Sequence, residues 1–280
     1  MSFLYSIINT ILPFDWLGPN FMKNAFLAVL VATPLFGVLG SFVVSNKMSF
    51  FSDAIGHSAL TGIAFGVLLG IKEPMVAMVG FSLILGFAII TVKTQGKSSA
   101  DTIIGVFSST SVALGLVLLS ATGNFTRYQK YLIGDILSIA PKEILLLLLV
   151  GVVAAVVWIL LYNKMLLTNL HRTLAKSRGI RVFATEQIFA LLTALIVSTS
   201  IRWTGLLIIN SLLVLPAAAA RFVTRNTKSY LLAAMIISLL SGIVGLALSY
   251  YIGAASGATI VLVNAVLFLG CLVAGTVKRS

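Results

Sequence analysis

Acidic residues are scarce: seven Asp and Glu stand in 280 residues, against 19 Lys and Arg. Charged residues of both signs make up only 9% of the sequence, whereas a soluble domain carries about a quarter, which excludes an ordinary water-soluble fold. One cysteine, Cys271, excludes a disulfide framework and any site built from several thiolates. It reads as a small apolar residue of the last helix. The first 20 residues lack a basic n-region and a small-residue cleavage pattern, and Pro13, Asp15 and Pro19 interrupt them. No cleavable signal peptide is therefore expected, and the amphipathic stretch Met1 to Leu12 suits the membrane interface.

What the chain has in abundance is apolar: 59% of it is hydrophobic and the mean hydropathy is +1.11. The apolar runs are about 20 residues long, the length of a helical span, and lack the short alternation of a membrane barrel. They fall at about 22–45, 53–71, 74–92, 101–121, 143–163, 185–201, 204–222, 229–251 and 257–277. A shorter apolar piece, Tyr131 to Ile139, contains Asp135 and cannot span alone. The expected fold is an all-α polytopic membrane protein of about eight or nine transmembrane helices. Short interfacial, re-entrant and coupling helices complete it. The whole of 1–280 is expected to be one membrane domain, without a soluble domain or a low-complexity linker.

The net charge of +12 has its place in such a fold, because cytoplasmic loops of membrane proteins concentrate Lys and Arg. A nucleic-acid partner is not needed to explain it. With the Asn46-Lys47 turn inside and the segments alternating, thirteen of the 19 basic residues fall inside: Lys47, Lys93, Lys97, Lys164, Arg172, Lys176, Arg178, Arg181, Arg221, Arg225, Lys228, Lys278 and Arg279. That places the N-terminus outside and the C-terminus inside.

So few acids can be weighed singly. Asp15 and Glu73 sit in loops, and Glu143 and Glu186 open helices where a carboxylate suits the N-terminal dipole. Asp53 is different. It precedes His57 by four residues at the head of a strongly apolar segment, so both share one helix face. Asp101 follows Lys97 much as Asp53 follows Lys47, which puts it at similar depth on another segment. Two carboxylates and an imidazole form a mixed oxygen and nitrogen set suited to zinc, manganese or ferrous iron. The plainer alternative is that both aspartates cap their helices and His57 packs in the core. Three donors are too few for a tight structural site, whereas a site that must release its ion can look like this.

Gly96-Lys97-Ser98 resembles the end of a phosphate-binding loop, but the earlier glycine is replaced by Thr91 and no soluble strand precedes it. Nothing indicates a shared pocket for a Ser-His-Asp triad. Gly62, Gly66 and Gly70 give overlapping G-x-x-x-G spacings, and Gly253 and Gly257 another; packing inside one subunit is the expected use. The longest basic loop, 163–183, contains a short amphipathic helix with Leu170, Leu174 and Ser177 on one face, His171 beside them and Gly179 as its stop. It is either a solvated basic loop or a docking helix for a cytoplasmic partner.

Four stretches together resemble the membrane permeases of ATP-binding cassette importers for zinc, manganese and iron. They are Lys47-Met-Ser-Phe-Phe-Ser-Asp-Ala-Ile-Gly-His-Ser-Ala-Leu-Thr-Gly62, Ala100-Asp-Thr-Ile-Ile-Gly-Val-Phe107, Tyr131-Leu-Ile-Gly-Asp-Ile-Leu137 and the run from Thr204 to Arg221. The similarity covers about Phe21 to Gly275. It implies a permease pair, two cytoplasmic ATP-binding subunits and an extracytoplasmic metal-binding protein, all at a lipid membrane. It also implies a transported divalent metal ion, with no permanently bound cofactor and no catalysis by this chain. Asp53, His57 and Asp101 would lie on the metal pathway. The 164–182 loop would couple to the ATPase through Leu170, His171, Leu174 and Gly179, although His171-Arg172 stands where the family often has Asp-Pro. The Leu206 to Arg221 stretch would line the pore, interrupted by Asn210, Ser211 and Pro216. The rival class is an ion-coupled secondary transporter or cation channel using Asp53 and Asp101 as relays. A membrane-embedded enzyme is disfavoured by the shortage of ionisable residues.

Overall fold

The computed structural model describes residues 5–6, 14–95, 98–123, 125–128 and 130–277. Most of the Met1 to Leu12 stretch, Lys97 with its phosphate-loop resemblance, Lys278 and Arg279 lie outside the described residues. All regular structure among the described residues is helical. The principal helices are α1 (Asn20–Ser45), α2 (Phe51–Leu68), α3 (Pro74–Gln95), α4 (Ala100–Ala121), α5 (Pro141–Leu170), α6 (Arg172–Ser177), α7 (Val182–Thr204), α8 (Leu206–Val223), α9 (Thr227–Ile252) and α10 (Ser256–Val277). Eight of them, α1 to α5, α7, α9 and α10, are long and apolar enough to cross a membrane; α6 is far shorter, and α8 has 18 residues, as does α2. The Tyr131 to Ile139 piece is a short helix, Lys130–Ile133, followed by one 3-10 turn, Ile136–Ser138.

Local chemistry sets the helix ends. Ser99 caps α4 by accepting from Thr102 N at 3.2 Å, and Asn226 caps α9 by accepting from Ser229 N at 2.8 Å. Pro141 opens α5 at a position where its missing N–H costs nothing, while Glu143 Oε2 accepts from Ala140 N at 2.9 Å. α5 continues well past the expected end near 163, to Leu170, because Met165-Leu166-Leu167 offers only good helix formers.

The helices form two compact units. The first comprises Met1–Val44, Ile133–Gly151 and Arg202–Ser280, and its core is the mutual packing of α8, α9 and α10. Here Phe36 stacks on Trp203 with ring centroids 6.0 Å apart. The chain breaks between α7 and α8 at Gly205, which takes φ +84° against Gly134 at φ +69°. A Cβ on Gly134 would overlap the Gly205 nitrogen, and one on Gly205 the Ile133 carbonyl, so close approach and backbone angle both demand glycine. Arg202 Nη1 meets Glu143 Oε1 at 2.5 Å across the same segments.

The second unit comprises Ser45–Leu132 and Val152–Ile201. In it α2 packs on both α3 and α4. A Cβ at Gly62 would lie 2.7 Å from the Ala77 carbonyl, and one at Gly66 2.6 Å from Ala77 Cβ. Gly62 and Gly66 therefore line an intrachain seam, as expected, whereas Gly70, at φ +70° with open space around it, lies past the end of α2, and Gly253 ends α9 with φ +70° and belongs to a turn. Gln187 Nε2 donates to Phe87 O at 3.0 Å, tying α7 to α3.

Candidate functional site

The site begins at a tight turn. Lys47 takes φ 54°, and Phe51 N donates to Met48 O at 2.9 Å as α2 starts. From Phe51 to Ala64 every residue is buried except Asp53 and His57. Their side chains keep 35% and 25% exposure, and His57 Nε2 lies 3.5 Å from Asp53 Oδ2. That separation is at the outer edge of hydrogen bonding, so each group retains lone pairs for another partner. Asp53 lies in the first turn of α2. The buried neighbours of Asp53 and His57 along the helix include Ala54, Leu60, Thr61 and Ala64, and α2 packs on α3 and α4.

Asp101 sits exposed in the first turn of α4, next to the Ser99 cap. Among the described residues no three His, Cys, Asp or Glu gather closely enough to hold a metal, so one copy pairs Asp53 with His57 and keeps Asp101 apart. Asp135 caps the 3-10 turn after it, accepting from Leu137 N at 3.0 Å. Glu143 has the helix-opening place expected of it. Glu186 does not: it lies beyond the first turn of α7, 13% exposed, between Arg172 Nη2 at 3.2 Å and Lys93 Nζ at 3.8 Å. Sequence reasoning missed this cluster because its members come from three separate segments. The cue that was available is a carboxylate flanked by a long basic loop.

The basic loop contains α6, which closes with a Schellman arrangement: Gly179 N donates to Lys176 O and Ile180 N to Ala175 O, both at 3.0 Å. Gly179, at φ +75°, is the stop its position suggested. Ala175 is fully buried, whereas Leu170 and Leu174 stand 65% and 43% exposed and His171 is exposed before the first turn. The apolar face anticipated for this helix thus points away from its own unit. In α8, Asn210, Ser211 and Pro216 lie within one continuous helix; the interruption is at Gly205, ahead of them.

A family model for the ABC 3 transport family matches residues 19–275. The chain belongs to the ABC 3 transport family. Within that family it is 34% identical over 257 residues to the high-affinity zinc uptake system membrane protein ZnuB of Haemophilus influenzae, covering 91% of this chain and 96% of that one. It is 32% identical over 250 residues to the manganese import system permease protein ScaB of Streptococcus parasanguinis, covering 89% of each. Among solved structures, PsaBC from Streptococcus pneumoniae in complex with Fab superposes with a TM-score of 0.78 at 26% identity, covering 97% of this chain and 95% of that chain. This ABC 3 family member is a multi-pass protein of the cell membrane.

Proposed function

We propose that the chain is the permease subunit of an ATP-driven importer of divalent transition metal ions, with zinc and manganese the cargoes suggested by its relatives. The observation that carries this reading is that the stretch of α2 from Phe51 to Ala64 is buried except at two positions, a carboxylate and an imidazole. Those donors suit a borderline divalent cation, and two of them hold it loosely enough to let it go. The ion arrives from an extracytoplasmic metal-binding protein and exchanges part of its hydration shell for Asp53 and His57. Asp101, at the head of α4, provides a further carboxylate along its route. The chain works as a pair by alternating access and hydrolyses no ATP itself. Separate cytoplasmic subunits do so, and they meet the chain through α6, at Leu170, His171 and Leu174, with Gly179 fixing the end of that helix.

The test is reconstitution with the cognate ATP-binding subunits and binding protein in liposomes, measuring uptake of zinc and of manganese. Asp53→Ala and His57→Ala are expected to assemble normally and to lower uptake by about tenfold or more, the scale typical of disturbed metal coordination. Full-rate uptake by both variants would sink the assignment of these residues. Uptake by the permease without ATP-binding subunits would replace the importer with a channel or secondary transporter.

A further inference from the structure

Glu186 stands at a junction that the transport reading leaves unused. Its carboxylate takes Arg172, the first residue of α6, at 3.2 Å on one side and Lys93 of α3 at 3.8 Å on the other. Lys93 Nζ in turn reaches Met48 Sδ at 3.3 Å. Met48, 3% exposed, belongs to the turn that launches α2, and its carbonyl holds Phe51 N. Five residues beyond Met48 is Asp53. One step along α7, Gln187 clamps the Phe87 carbonyl of α3 at 3.0 Å. A small cleft bordered by Asn46, Met48, Met165, Thr185, Glu186 and Phe189 adjoins the junction.

Lys93 and Glu186 are only 15% and 13% exposed, so their pairing is shielded from salt compared with a surface contact. A largely buried carboxylate holding two cations from different elements transmits displacement, because parting it from either leaves a cation without its partner. We infer that Glu186 is a positioning residue: it links the α6 helix, through Lys93 and Met48, to the start of α2, so that movement of α6 resets Asp53 and His57. The inference rests on the importer reading, in which α6 receives the push of the ATP-binding subunits. It adds a mechanical route wholly inside one unit of the fold.

The experiment uses the full complex in liposomes with zinc-loaded or manganese-loaded binding protein, and reads metal imported per ATP hydrolysed. Glu186→Gln is expected to assemble and hydrolyse ATP while that ratio falls about tenfold. Arg172→Gln should lower the ratio similarly. The double variant should be no worse than the poorer single, since both remove the same link. A wild-type ratio in Glu186→Gln, or losses that simply multiply in the double variant, would overturn the relay. If Glu186→Gln fails to assemble, Arg172→Gln decides alone, because Arg172 is half exposed on a short surface helix, and an unchanged ratio there overturns it. No ATP-driven uptake by the wild-type complex would instead overturn the importer reading, and the relay with it.

Discussion

At the scale of single residues, burial and charge pull against each other, and three of the acidic residues meet the cost with a partner. Asp53 keeps His57, Glu186 keeps Arg172 and Lys93, and Glu143 keeps Arg202. Asp53→Asn isolates the part played by charge, because the amide preserves shape but is a far weaker ligand for a divalent cation. Uptake should fall almost as far as in Asp53→Ala; an Asn variant that matches wild type would show that Asp53 serves packing alone. Asn264 is the opposite case. It is 1% exposed in α10, and neither its Nδ2 nor its Oδ1 has a hydrogen-bond partner among the described residues. Replacing it with leucine, of similar volume, removes that desolvation cost of about 1–3 kcal/mol. Asn264→Leu should raise the midpoint of thermal unfolding in detergent, and a lowered midpoint would mean the amide is satisfied in the membrane. The pairing of Asp53 with His57 was legible in the sequence, since four residues of helix set it. The Glu186 cluster was not, since nothing local says which cation a carboxylate will find 93 positions away in Lys93.

At the scale of elements, the spans were readable because each must supply about 20 apolar residues. Their ends were less so. α5 overran its expected end because continuous helix formers outweigh the charge of Lys164, and the break before α8 fell at Gly205 rather than at Pro216. Proline inside a membrane helix is tolerated where neighbours satisfy the freed carbonyl, so it was a poorer marker than a glycine at positive φ. Two elements carry predictions. Bulk at the α2–α3 seam has nowhere to go: Gly62→Leu would drive its side chain into the Ala77 carbonyl and Met78 Cα. The expected loss is about 1–3 kcal/mol or more, read as a lower unfolding temperature and poor yield. On α6 the reverse holds. Leu174 is exposed, so Leu174→Asp should leave the unfolding temperature of the isolated permease unchanged yet abolish co-purification with the ATP-binding subunits. Retained co-purification would move the docking surface elsewhere.

At the scale of the whole molecule, the donor count bears on how many copies make a working transporter. One copy places two donors, Asp53 and His57, on the open face of α2, and no group of three metal-binding side chains forms among its described residues. Zinc normally takes four ligands and manganese more, so two donors leave most of the coordination sphere to water. A two-fold axis brings the same patch of each copy together and doubles the set without any new residue. A site shared between copies therefore requires the proposed pair, although the pair does not require a shared site. Mixing wild-type permease with His57→Ala at equal amounts separates the possibilities. If each copy carries its own ion, uptake should fall to about half of wild type. If both copies contribute to one ion and a single lost imidazole disables it, only pairs of two wild-type chains remain active, and random pairing leaves about a quarter. The measurement is zinc and manganese uptake by liposomes carrying co-reconstituted, differently tagged chains, with the pairing fraction checked by sequential affinity capture. A residual near a half would dissolve the shared site while leaving the importer intact.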